Sequence, residues 1–151
     1  MKSSDIYIRK ATLEDVSGIL TLYSQPEMDG KNTISEEQAN KLFHKIATYP
    51  NYHFYVAEKK EQLIGVFGLL VMDNFGHQGT PSAIVEGVCV SQQYQGKGVG
   101  KIMMEAAHNI CRSHGCYKMA LSSNLRRKDA HQFYEHLGFK QHGISYYIEY
   151  E

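Results

Sequence analysis

Gln95-Gly96-Lys97-Gly98-Val99-Gly100-Lys101 joins two segments of different periodicity, and that junction decides the fold. Before it, Ala83-Ile84-Val85-Glu86-Gly87-Val88-Cys89-Val90 is rich in β-branched residues and reads as a half-buried strand. After it, Ile102, Met103, Ala106, Ala107, Ile110 and Cys111 recur at helical spacing. A glycine-rich turn that opens a helix exposes backbone N–H groups at the positive end of the helix dipole. Three glycines let an anion approach that backbone with no Cβ in the way, so the turn is a phosphate site by design.

Two common phosphate motifs fail here. A Walker A loop needs Gly and Ser or Thr where this chain has Gln95 and Ile102. A dinucleotide fingerprint needs a third glycine where Lys101 stands. The pattern that fits is Q-x-x-G-x-G, on Gln95, Gly98 and Gly100. Further on, Asn124 is followed by Ala130-His131-Gln132-Phe133-Tyr134-Glu135-His136-Leu137-Gly138-Phe139. There Ala130, Phe133, Tyr134 and Leu137 share one helical face, and Gly138 is placed to end the helix.

The turn and the N…A-x-x-F-Y-E-x-x-G-F run, in this order, resemble the GNAT superfamily of acyl-CoA-dependent N-acetyltransferases. The resemblance covers nearly the whole chain. It implies a mixed central sheet with helices on both faces, whose fourth and fifth strands splay apart to admit coenzyme A. It also implies acetyl-CoA as co-substrate. The pyrophosphate would lie on the amides of Gln95, Gly96, Lys97, Gly98, Val99, Gly100 and Lys101. The pantetheine arm would pair with the backbone of Val88, Cys89 and Val90, and the amide of Val88 or its neighbour would face the thioester carbonyl. Asn124 would either hydrogen-bond the pantetheine or cap the helix after it. Tyr134 would be the general acid that protonates the leaving thiolate.

Glu86 is the candidate base, a carboxylate in an otherwise apolar strand. Strict alternation places it on one face with Val88 and Val90 and turns Cys89 away. Arg126, Arg127 and Lys128 stand where the later helix begins, an unfavourable place for cations unless an anion is near. The 3′-phosphate of coenzyme A is one such anion, and a solvated basic turn is the plain alternative.

The remaining chain is read as a single N-acetyltransferase domain over 1–151, α/β or α+β in class. Ile6–Ile8, Phe54–Ala57, Ile64–Met72 and Met119–Ser122 are expected strands, with another from Phe139 and a last one at Ser145–Tyr150. Thr12 caps a helix bearing Val16, Ile19, Leu20 and Tyr23, and Ser35-Glu36-Glu37-Gln38 is a capping box. Loops around Met28-Asp29-Gly30 and from Asp73 to Pro81, with Tyr146 and Tyr147, are expected to frame the acceptor amine.

The charge balance of 16 basic against 16 acidic residues gives no field that would recruit nucleic acid or an anionic membrane. Three cysteines without a C-x-x-C pattern point to reduced thiols in the cytoplasm. The eight histidines match no zinc spacing, so no metal is expected. The expected acceptor is a small-molecule primary amine, since the likeness extends to aminoalkylphosphonate and aminoglycoside acetyltransferases. Protein lysines or N-termini, or a non-catalytic acyl-CoA sensor, are the alternatives. The aromatic run near the C-terminus makes a homodimer an expectation.

Overall fold

The computed structural model describes residues 5–151, which form two compact units that divide after Ala120. The first holds a five-stranded sheet in the order β1 (Tyr7–Lys10), β2 (Tyr52–Lys59), β3 (Gln62–Met72), β4 (Ser82–Val90) and β5 (Lys118–Ala120). Strands β1 to β4 are antiparallel to their neighbours, and β5 runs parallel to β4. The sheet is therefore mixed, as expected.

Three helices belong to this unit: α1 (Val16–Tyr23), α2 (Glu36–Ile46) and α3 (Val99–Ser113). Thr12 precedes a short 3₁₀ turn, Leu13–Asp15, rather than the helix itself. Ser35 and Gln38 form the reciprocal capping box of α2, each side chain bonded to the other's backbone N–H at 3.2 Å. Along α3, Val99, Met103, Ala107 and Cys111 repeat every four residues and are buried together with Met104. Burial of each larger apolar side chain of that stripe contributes about 1.5–3 kcal/mol.

A β-bulge decides which side of β3 faces which helix. Leu63 pairs with Glu58 and Gly65 with Ala57, so Ile64 is an extra residue on β3. The bulge inverts the alternation. Leu63 lies against α1, where a Cβ on Gly18 would fall 2.7 Å from its Cδ1. Gly65 lies beneath α3, where a Cβ would fall 2.5 Å from Met103 Sδ. On the α1 side Ile19, Leu22, Val56, Val66 and Cys89 form one buried cluster.

The second unit holds α4 (Lys128–His136). The expected strands from Phe139 and at Ser145–Tyr150 are absent among the described residues. Tyr146, Tyr147 and Ile148 have strand-forming side chains, but a strand exists only when a neighbour takes up its backbone groups. This segment has none within its unit.

Candidate active site

β4 and β5 pair only through Ser82–Lys118, Ala83–Met119 and Ile84–Ala120. The pairing of β4 with β5 ends at Ile84, which agrees with the splay that the resemblance implied. On its other edge β4 bulges. Glu86 pairs with Gly68 and Cys89 with Val66, so Gly87 and Val88 together oppose the single residue Phe67. Gly87 makes the bulge with φ +59°, a backbone state costly for any residue with a Cβ.

This bulge corrects the alternation expected for the strand. Val66 and Gly68 share a face of β3, so their partners Cys89 and Glu86 share a face of β4. Glu86 thus stands on the α1 side with Cys89, while Val88 and Val90 take the other side. Nor is Glu86 enclosed: its side chain is exposed. Tyr23 and Tyr52 border it, and burial first, with the Glu86 charge among the lesser causes, pushes both phenols up. Cys89 is buried; its Sγ donates to Leu22 O at 3.3 Å and accepts from Gln25 Nε2 at 3.1 Å.

Beyond β4 the chain makes a 3₁₀ turn at Gln92–Tyr94, extends at Gln95, and enters α3 through Gly96 and Gly98 at φ +71° and +85°. A Cβ on either glycine would meet nothing within 4 Å, so the turn is an open cradle. Gly98 is the N-cap, no acidic side chain lies in the first turn of α3, and Ile102 N already bonds Gly98 O. The N–H groups of Val99, Gly100 and Lys101 precede any intrahelical partner and point out of the helix end. Lys97 and Lys101 add exposed cations, the first over the Tyr94 ring and the second 3.9 Å from Glu105. Amides, dipole and cations suit a pyrophosphate.

Three side chains from the end of α1 and its following loop hold this region, a feature the sequence reading missed. Tyr23 Oη donates to Gly87 O at 2.8 Å. Gln25 Nε2 donates to Val90 O at 3.1 Å, and its Oε1 accepts from Gln92 N at 2.7 Å. Gln95 Nε2 donates to Glu27 Oε1 at 2.8 Å and to Val90 O at 3.2 Å. A Tyr-x-Gln-x-Glu run carries no motif, so only the fold could reveal the set.

In the second unit Asn124 Oδ1 accepts from Arg126 N at 2.9 Å, an Asx turn just ahead of α4, whose N-cap is Arg127. Its neighbour Ser123 has a buried Oγ without a hydrogen-bond partner. Tyr134 packs edge-on to Phe133 and Phe139, with ring centroids 5.1 and 5.5 Å away. Burial raises its phenol above the ordinary value, although Arg127 acts in the opposite sense. Among the described residues no cluster of three or more His, Cys, Asp or Glu could hold a metal, and no helix is long and apolar enough to cross a membrane.

The profile of the Acetyltransferase (GNAT) family matches residues 16–139. The aminoalkylphosphonate N-acetyltransferase of Salmonella typhimurium is 28% identical over 134 residues, 89% of this chain and 84% of that protein. The glucosamine 6-phosphate N-acetyltransferase of Arabidopsis thaliana is 26% identical over 141 residues, 91% of each chain. A solved Trypanosoma brucei acetyltransferase superposes with a TM-score of 0.84 over 97% of this chain and 100% of its own, at 24% identity. That last likeness bears on the fold.

Proposed function

The chain belongs to the Acetyltransferase (GNAT) family and is an acyltransferase, and from that premise we propose that it moves the acetyl group of acetyl-CoA to the primary amine of a small molecule by direct attack in a ternary complex. The observation that carries this reading is the open glycine cradle at the head of α3, which follows the part of β4 beyond Ile84, where the pairing with β5 ends. Both features suit coenzyme A: the cradle accepts a pyrophosphate, and the edge offers backbone groups to an amide-bearing arm. Residues 1–151 act as one N-acetyltransferase domain.

In this reading Gln95 through Lys101 hold the pyrophosphate, and Val88, Cys89 and Val90 present backbone to the pantetheine arm. Glu86 takes the amine proton, directly or through water. The neutral amine attacks the thioester carbon, a C–N bond forms, and the Val88 N–H donates to the oxygen as charge gathers there. One oriented donor of this kind is worth about 10²–10³ in rate. The C–S bond then breaks, the sulfur takes the Tyr134 proton, which burial keeps on the phenol, and the proton shed by the new amide nitrogen returns to the phenolate through water. Asn124 and Tyr134 enter through their places in the signature helix region, and the unsatisfied Ser123 hydroxyl beside Asn124 is a group that a polar ligand would satisfy.

The acceptor reading draws on the names of the relatives, which specify an aminoalkylphosphonate and glucosamine 6-phosphate, both small amines. Thiol release from acetyl-CoA, measured with aminophosphonates, aminosugar phosphates, aminoglycosides, polyamines and peptides, tests it. Turnover with small amines and none with peptides is expected. Turnover with peptides alone overturns the choice of acceptor, and coenzyme A binding without turnover on any amine overturns the enzyme reading for these substrates.

A further inference from the structure

Tyr23 stands outside both sequence motifs, yet its hydroxyl meets the strand at the bulge. Its Oη donates to Gly87 O at 2.8 Å, across 64 residues of sequence. Its ring packs on the cluster of Ile19, Leu22, Val56, Val66 and Cys89, which leaves the hydroxyl little freedom to swing away. A Cβ on Gly87 would lie 2.6 Å from that oxygen, so the phenol fills the space that glycine leaves.

The carbonyl of Gly87 and the N–H of Val88 belong to one peptide group. In a trans peptide these two bonds lie in one plane and point in opposite directions. Whatever fixes the carbonyl therefore fixes the N–H. The bulge takes Gly87 and Val88 out of the regular β3–β4 register, so the ladder does not set this peptide as it sets the flanking ones. An O–H···O=C bond also polarises the peptide and makes its N–H a stronger donor.

We propose that Tyr23 is a positioning residue for acyl transfer: by anchoring the Gly87 carbonyl it aims and strengthens the Val88 N–H. The inference rests on the reading of that N–H as the donor to the thioester oxygen. Burial holds the Tyr23 proton well above the ordinary phenol range, so the anchor is constant across the working pH. Tyr23 transfers no proton in the reaction.

The test is Tyr23→Phe, which keeps the ring and removes the hydroxyl. Amide NMR of the ligand-free protein reads the Val88 N–H without any turnover, and steady-state kinetics reads the consequence. We expect the Val88 resonance to move, kcat to fall about 10- to 100-fold, a part or all of what one such donor supplies, and KM for acetyl-CoA to stay within about twofold. The loss should be uniform across pH, because an anchor shifts no limb of the profile. Gly87→Ala displaces the same hydroxyl, and the double variant should lose no more than the worse single one. If Tyr23→Phe does not fold, Tyr23→Leu, which also lacks the hydroxyl and leaves Gly87 untouched, carries both measurements. An unmoved Val88 resonance overturns the anchor. A moved resonance with unchanged kcat overturns its catalytic part, as does a loss confined to one pH limb or a matching rise in KM. If wild-type protein acetylates nothing, the acyl-transfer reading fails while the resonance still reports the anchor.

Discussion

At the residue scale the glycines of the turn carry the sharpest expectations. Gly98 sits at φ +85° with open space where a Cβ would be, so Gly98→Asp adds backbone strain and a negative charge at the proposed pyrophosphate cradle. Calorimetry on the folded variant should show coenzyme A binding weakened at least about tenfold, and unchanged affinity would remove the cradle from the binding site. Tyr134→Phe removes one oxygen and leaves the contacts with Phe133 and Phe139 in place. It should lower kcat about 100-fold with little change in acetyl-CoA binding; wild-type turnover, where chemistry limits the rate, would make Tyr134 a packing residue. The turn and Tyr134 were legible because glycine spacing and a helical stripe are written in consecutive residues. The face of Glu86 was not, because one bulged residue exchanges the two sides of a strand. Gly87 within the strand was the available sign. Tyr23 and Gln25 left no sign at all, since their partners lie more than sixty residues away.

At the element scale the hairpin joining β2 and β3 turns tightly. Lys59 pairs with Gln62, leaving a two-residue turn of Lys60 and Glu61 at φ +48° and +62°. Both positions favour Asn or Gly, and neither side chain here does. Lys60→Asn with Glu61→Gly should raise stability by about 1 kcal/mol and Tm by about 2–4 °C, read by calorimetry. A lower Tm would mean that the two side chains contribute more than the turn costs. The start of the chain is tied more firmly. Arg9 on β1 bonds both carboxylate oxygens of Asp15, at 2.6 and 2.9 Å, and also Glu58 on β2. The Arg9 hydrogen bonds, helped by those from Thr12, hold the Asp15 carboxyl below its usual range against the effect of burial. A carboxyl depressed in the folded state stabilises above its unfolded pKa of about 3.9 and ceases to as pH falls through the folded value. Asp15→Asn should therefore cost about 1–3 kcal/mol at pH 7, and the gap from wild type should narrow below about pH 4 in urea titrations. A constant gap at all pH values would assign the cost to packing.

At the scale of the whole molecule, the described residues leave one apolar run uncovered. Ile144, Tyr146, Tyr147, Ile148 and Tyr150 are 78, 85, 86, 78 and 86% exposed. Isolated exposed hydrophobics are ordinary, but five within seven residues form a patch of the kind that marks an interface. Ile144, Tyr146, Ile148 and Tyr150 stand at alternate positions, as on one face of a strand, and lack a strand partner among the described residues, so they offer both apolar side chains and open backbone groups. Electrostatics does not oppose self-association: 16 basic and 16 acidic side chains cancel, leaving a pI near 7.1 and no net charge to keep copies apart. A dimer held by one short segment from each copy should be concentration-dependent. Sedimentation equilibrium should show a homodimer in the range of tens of micromolar, about −6 kcal/mol of association free energy. Tyr147→Asp with Ile148→Asp should return the chain to monomer without loss of the α3 and β4 site. A wild-type chain that stays monomeric throughout that range would mean the C-terminal aromatics are not covered by a second copy.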